Sequence, residues 1–156
     1  MIWPKLDQLQ RNEKKMNQKL KDNLKRAFQL TKSLVIHLDE KSLILDMPEL
    51  PSNRIAGQLW CMVGARESML KGIEKGGWQG FSCSLATPRV KQSVLVALDA
   101  TLARLEALDF SEFSDIQLAL AFDLLEHEVQ HHGQLIRYVY GNGLTFPESW
   151  HARYTV

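Results

Sequence analysis

Two histidines spaced four residues apart, His127 and His131, have the residue type and spacing that most clearly indicate chemistry. Residues at i and i+4 lie one above the other on a helix, so both imidazoles can direct a ring nitrogen at one point, as a metal chelate requires. Asp123 lies one turn upstream and is predicted to hold the second ring nitrogen of His127 or to add an oxygen ligand. Asp123 is also the candidate catalytic residue.

A structural network is the alternative interpretation of the same residues, because a histidine on an apolar helix face usually bonds to its neighbours. Burying three unpaired polar side chains would cost roughly 1 to 3 kcal/mol each, which favours chelation. The spacing resembles that of zincins, but alone it is only moderately specific, and we do not assign the chain to that class. His132 is predicted to point elsewhere.

A third ligand is expected from another helix, because two histidines rarely form a metal site alone. Cys61 is the candidate, since it lies in a stripe of small residues that leaves room beside it: Gly57, Cys61, Gly64, Ala65 and Ser68. The plainer interpretation of Cys61 is a small buried apolar residue. Three protein ligands and one open position would lower the pKa of a metal-bound water toward neutrality.

Amphipathic helices are predicted to position these side chains. Apolar residues at steps of three or four predict a first helix over about 13–38. A second helix is predicted after a cap at Ser52 or Asn53, and it ends at about Lys75, before Gly76-Gly77.

Two further helices follow a loop over 76–86. Thr87-Pro88 is a start signal for the third helix, which continues to Leu108. Ser114 and Gln117 form a capping-box pattern at the start of the fourth, which ends at Gly141-Asn142-Gly143. A short strand over 43–45 would have no partner, so no sheet is expected.

These elements predict one domain over residues 1–156, an all-α antiparallel four-helix bundle with a long connection between helices two and three. A net charge of +1 gives no reason to expect nucleic-acid or membrane binding. Two cysteines, Cys61 and Cys83, favour free thiols in a reducing cytoplasm. The start of the chain has no pattern typical of a secretory signal.

The near-neutral charge conceals a basic segment, residues 5–26, with eight basic and three acidic residues. The plain interpretation is a solvated helix face. The alternative is a docking surface for an acidic partner, formed by Lys14, Lys15, Lys19 and Lys21.

Two segments resemble the DinB-like (DinB/YfiT) superfamily of metal-binding four-helix proteins. Residues 55–67 are similar to its second-helix pattern, in which a histidine follows a Leu-Trp pair, and residues 126–135 are similar to its H-x-x-x-H-x-G-Q pattern. The tail over 146–150 is also similar. The resemblance implies an antiparallel bundle and a divalent ion held by three histidines.

Carried onto this chain, two of those ligands are His127 and His131, and the third position holds Cys61. Thiolate is a softer ligand, which favours zinc over nickel, manganese or iron; loss of the ion is the alternative. Gln58, one turn earlier, is a poorer ligand.

The resemblance implies a metal-dependent hydrolase or a transferase that uses a low-molecular-weight thiol, with a small-molecule substrate. A non-catalytic bundle acting in binding or stress response is the alternative.

Further candidate acid or base groups are Glu67, Glu126 and Glu128. Aromatic and histidine side chains either line a pocket mouth or pin the tail to the bundle: Trp60, Trp150, His151 and Tyr154. A homodimer is compatible with a bundle of this size, although no apolar helix face is wide enough to require one.

Overall fold

The computed structural model describes residues 6–47, 49–50 and 52–156. Four main helices follow one another: α1 (Leu6–His37), α2 (Ile55–Lys75), α3 (Lys91–Ala107) and α4 (Asp115–Gly141). A short helix, α5 (Glu148–Arg153), follows them, and 3-10 turns lie at Glu40–Ile44 and Phe110–Glu112. No strand occurs among these residues. The predicted all-α bundle of four main helices is confirmed.

The four helices pack in a ring, in which α1 contacts α3 and α4, and α2 contacts the same two helices. Two hydrophobic clusters fill its two ends. The first joins Leu30–Val35 of α1 and Leu135–Val139 of α4 to Ile55–Val63 of α2. The second joins Leu20–Phe28 of α1 and Leu120–Leu124 of α4 to Leu70 and Ile73 of α2.

The composition of the clusters gives the helix directions. The later half of α1 meets the later half of α4 and the first half of α2, so α1 and α4 run together and α2 runs opposite to them. Val94 and Leu98 lie in the first cluster and Leu105 in the second, so α3 is parallel to α2. The chain must therefore return along the bundle between α2 and α3, which is why the predicted long connection, residues 76–90, is present.

The boundaries of α1 and α2 differ from prediction at their starts. The charged residues before position 13 continue the helix, so α1 begins at Leu6. The proposed cap of α2 is wrong: its N-cap is Arg54, without a side-chain cap, and the Ser52 hydroxyl donates to Asp46 at 2.6 Å instead. The predicted end at Lys75 is confirmed, because Gly76 adopts φ 72°, a left-handed conformation that glycine accepts readily.

The start of α3 was also predicted too early. The helix begins at Lys91, whose backbone N–H donates to the Glu40 carboxylate at 2.9 Å, so a distant residue supplies the cap that Thr87 was expected to provide. The α4 prediction is confirmed: Ser114 and Gln117 form the reciprocal capping box, and the helix ends at Gly141.

The basic segment is partly used inside the molecule. Lys14 pairs with Glu112 at 2.9 Å, and the Lys21 ammonium donates to the carbonyls of Glu106 and Leu108 at the end of α3. Two of the four lysines proposed as a docking surface therefore hold α1 against its neighbours. Within the described ranges, no helix is long and apolar enough to cross a bilayer.

Candidate metal centre

The antiparallel contact between α2 and α4 brings one cysteine and two histidines together. Cys61 of α2 and His127 and His131 of α4 each offer a ligand atom, and these atoms lie within 4.8 Å of one another. The Cys61 Sγ is 3.6 Å from Nε2 of His127, and the two imidazole centroids are 4.5 Å apart. The predicted i, i+4 convergence is observed, and the three predicted residues form one candidate metal-binding group, the metal group.

Gln58 orients His131 within this group. The Nδ1 of His131 lies 2.7 Å from Oε1 of Gln58, a carbonyl oxygen that can only accept, so Nδ1 carries the hydrogen. The lone pair of His131 is then on Nε2, free for a metal ion. Gln58, which the sequence suggests as a weak ligand, therefore fixes the tautomer of His131, the better candidate ligand. Groups that hydrogen-bond to the second ring nitrogen of metal-bound histidines commonly have this effect.

Both imidazoles are held in the neutral form that binds metal. Burial and the neighbouring His127 lower the pKa of His131 to about 4. Burial also lowers the pKa of His127. Because both imidazoles are uncharged at neutral pH, each has a nitrogen lone pair free for a metal ion, and acid competes with metal at these two positions only below pH 7.

His127 differs from His131 because its Nδ1 is buried without a hydrogen-bond partner among the described residues. Asp123 was expected to hold this ring nitrogen, but the carboxylate lies on the exposed side of α4 and does not reach it. The spacing of one helical turn between Asp123 and His127 therefore did not produce the expected contact. The catalytic role suggested for Asp123 stays a prediction.

Cys61 supplies the one donor that must lose a proton. Burial raises the pKa of its thiol, so the thiol is protonated at neutral pH in the metal-free protein. A metal ion bound by the sulfur would displace that proton, because the thiolate is the ligand form. Metal affinity is thereby linked to pH.

We expect zinc affinity to rise about tenfold per pH unit between about pH 7 and pH 8.5, because binding releases about one proton, from Cys61. The measurement is a chelator-competition titration at several pH values. Cys61→His is the matched control, and its affinity should be nearly independent of pH over the same range. A flat profile for the unsubstituted protein would show that the thiol is not a ligand.

The stripe of small residues on α2 is explained by a loop that lies against it. The Phe81 ring covers Gly64, and Cβ of Cys83 is 3.0 Å from the position that a Cβ on Gly64 would occupy. Ser68 exchanges hydrogen bonds with the backbone of Ser82, donating to its carbonyl at 3.0 Å and accepting from its N–H at 2.9 Å. The expected close backbone approach is therefore the α2–α3 connection passing beside Cys61.

A buried ion pair beneath the metal group was missed at the sequence level. Arg66 of α2 and Glu128 of α4 are both fully buried and paired through two hydrogen bonds, one of them from Nε at 3.0 Å. The Arg66 guanidinium also lies 3.7 Å from the centroid of the Phe28 ring. Although burial raises it, the charge and hydrogen bonds of Arg66 hold the pKa of Glu128 well below its ordinary value, so the carboxylate is ionised.

The orientation of the Glu128 side chain differs from that expected in a zincin. Residues 127–131 spell H-E-x-x-H, in which the glutamate would be the general base. Here Glu128 accepts from Arg66 and, at 2.5 Å, from the Thr31 hydroxyl, so it faces the bundle interior rather than the metal group. Of the other proposed acid or base groups, Glu67 accepts from Ser84 and Glu126 is exposed.

His132 and the tail belong to the same interior network. The two ring nitrogens of His132 lie 2.8 Å from the Thr31 hydroxyl and 2.7 Å from the Tyr154 hydroxyl, so His132 points away from the metal group as predicted. Trp150 is buried and donates to the Leu30 carbonyl at 2.8 Å. Trp150 and Tyr154 therefore pin the tail, whereas Trp60 is partly exposed and packs against Phe81.

No protein-family model matches the sequence, and no curated protein is significantly similar to it. These comparisons identify no family. One thiol and two imidazoles suit a tetrahedral ion with one open position.

Proposed function

We propose that Cys61, His127 and His131 bind a divalent metal ion. The observation that carries the proposal is the convergence of their three ligand atoms from two different helices.

Zinc is the ion that this set of donors favours. A thiolate and two imidazoles are the soft and borderline ligands that zinc prefers, whereas manganese prefers carboxylate and water oxygens. Nickel and iron are also bound by imidazole, and they are the next candidates. For His131, the residue that would orient the ligand is Gln58.

We further propose that the site is that of a DinB-like enzyme, either a hydrolase or a transferase that uses a low-molecular-weight thiol. Cys61, His127 and His131 would hold the ion, which would supply Lewis acidity to activate a water or to bind a substrate thiolate. The chain's own part is to keep both imidazoles neutral and to hold the thiol of Cys61 beside them. A non-catalytic binding protein is the competing proposal.

Cobalt substitution tests both parts of the proposal, because a thiolate bound to Co²⁺ gives an intense near-ultraviolet charge-transfer band. We expect the band with the wild-type protein and its loss in Cys61→Ser, while Cys83→Ser, which removes the other thiol, retains it. A further increase on adding 2-mercaptoethanol would support the thiol-dependent class. Wild-type protein that shows no band would overturn the metal site, and a spectrum unchanged by added thiol would overturn the thiol-dependent class.

A further inference from the structure

The two cysteines of the chain lie beside one another. Cys61 is on α2, and Cys83 is on the α2–α3 connection. The Cys83 thiol donates to the Trp60 carbonyl at 3.4 Å, and this carbonyl belongs to the peptide bond that leads into Cys61. A carbonyl oxygen lies about 3 Å from the next Cα across a trans peptide, so Sγ of Cys83 is no more than about 6 to 7 Å from Cα of Cys61.

Hydrogen bonds on both sides of Cys83 hold it against α2. Ser82, the residue before it, exchanges two hydrogen bonds with Ser68. Ser84, the residue after it, donates its backbone N–H at 2.7 Å and its hydroxyl to the Glu67 carboxylate. Because both neighbours are fixed to α2, the position of Cys83 beside this helix is determined by the fold.

Gly64 permits this close approach. It follows Cys61 by three residues, which places the two on the same side of α2. Cβ of Cys83 is 3.0 Å from the position that a Cβ on Gly64 would occupy, so a side chain there would displace Cys83. Burial raises the pKa of the Cys83 thiol, and the charge of a Cys61 thiolate raises it further, so the two sulfurs are close enough to interact electrostatically.

Both thiols can be reached and brought together. Cys61 and Cys83 are each free and partly exposed, so a small oxidant has access to them. Residues 78–85 form no helix or strand, so the connection can shift without breaking a regular hydrogen-bond pattern. A disulfide joins Cα atoms about 4.4 to 6.8 Å apart, and rotation about the two χ1 angles with a small shift of the connection satisfies this geometry.

We propose that Cys61 and Cys83 are a redox pair, which a hydroperoxide converts to an intramolecular disulfide that removes the sulfur ligand from the metal group. The disulfide itself requires no metal, whereas the loss of metal rests on the proposed function. With Cys61 in a disulfide, only His127 and His131 are left, and two histidines rarely hold an ion alone.

The oxidation takes place in two steps. The Cys61 thiolate attacks the hydroperoxide, the O–O bond breaks, and an S–O bond forms, which gives a sulfenic acid and releases an alcohol, or water from hydrogen peroxide. The Cys83 thiolate then attacks the oxidised sulfur, the S–O bond breaks, and the S–S bond forms with release of water. Two thiols lose two electrons in total, the hydroperoxide gains them, and the two thiol protons end on the released molecules.

The disulfide is tested first on chelator-treated protein exposed to hydrogen peroxide. Mass spectrometry should show a chain lighter by two hydrogen atoms, and a peptide map should show Cys61 joined to Cys83 within one molecule. In glutathione redox buffers, the folded protein should give an effective thiol concentration at least about tenfold above that of the urea-unfolded chain, because the fold holds the pair together. Two thiols that survive oxidation, or equal effective concentrations, would overturn the proposal.

The loss of metal is tested on zinc-loaded protein, with a chromogenic chelator to detect release. Peroxide should weaken zinc binding of the wild type by more than the 10- to 100-fold that loss of an orienting group costs. A phosphine reductant followed by fresh zinc should restore binding. Wild-type protein that carries the disulfide and keeps its zinc would overturn this part.

Cys83→Ser is the matched variant, because it keeps all three proposed ligands and lacks the second thiol. After the same peroxide treatment it should not recover zinc binding, because a sulfenic acid without a partner thiol advances to the irreversible sulfinic acid. Recovery equal to that of the wild type would contradict the role of Cys83. Failure of the metal site itself is distinguishable, because then no protein takes up zinc before oxidation, while the disulfide still forms.

Discussion

Glu128→Gln should lower the free energy of unfolding by about 3 to 5 kcal/mol, the largest effect on stability that we expect from a single conservative substitution. Glutamine keeps the shape of the side chain but removes the charge that compensates Arg66, and both residues are fully buried. The substitution therefore leaves a guanidinium uncompensated in the interior. Urea unfolding followed by circular dichroism measures the loss.

An exposed ion pair in the same bundle provides the control. Arg104 of α3 pairs with Glu74 of α2 at 2.9 Å, and both side chains are about one-third exposed. Because solvent screens such a pair, Glu74→Gln should cost less than about 1 kcal/mol. Similar losses for Glu128→Gln and Glu74→Gln would contradict the role assigned to burial.

Zinc should stabilise the wild-type protein by about 4 kcal/mol when its free concentration is about a thousand times its Kd. This stabilisation should disappear in His131→Ala, because the variant lacks one of three ligands. Gln58→Leu should retain it in weaker form, with affinity reduced about 10- to 100-fold, because only the group that orients His131 is lost. Unfolding curves recorded with zinc and with chelator measure the stabilisation by zinc in the wild type and both variants.

Gln130→Leu is the matched control for these variants, since Gln130 is an exposed glutamine on α4 next to His131. Its response to zinc should equal that of the wild type. If His131→Ala were stabilised by zinc as much as the wild type, the stabilising ion would be bound elsewhere.

The α4 half of the metal group could be predicted from sequence because it is local. His127 and His131 lie one helical turn apart, so a helix alone brings their rings together. Cys61 was found by a less direct signal, the small residues around it, and its placement depends on how α2 packs against α4. The contact expected from Asp123 failed because helical spacing puts a side chain near a neighbour without deciding which way it turns.

The buried pair was missed although the sequence carries a signal for it. The apolar stripe of α2 advances by three or four residues through Ile55, Leu59 and Met62 and resumes at Met69, and Arg66 occupies the step between. A charged residue inside a buried stripe requires a partner, and Glu128 fills that role from α4. The partner could not be read from either helix alone, since it depends on their register.

The cap of α3 was mispredicted for a similar reason. Thr87-Pro88 is a good local start signal, but the observed acceptor for the first turn is Glu40, brought in from the segment after α1. Local preferences therefore located the helices, whereas contacts between distant segments determined where α3 begins.

The metal content of protein purified without a tag from cells supplied with zinc, nickel, manganese and iron is the most direct test of the central claim. Elemental analysis should find about one equivalent of a divalent ion, predominantly zinc, because one candidate set of three ligands converges among the described residues. The ion should be absent from His127→Ala and retained by Cys83→Ser. Wild-type protein that is folded but free of metal would contradict the account.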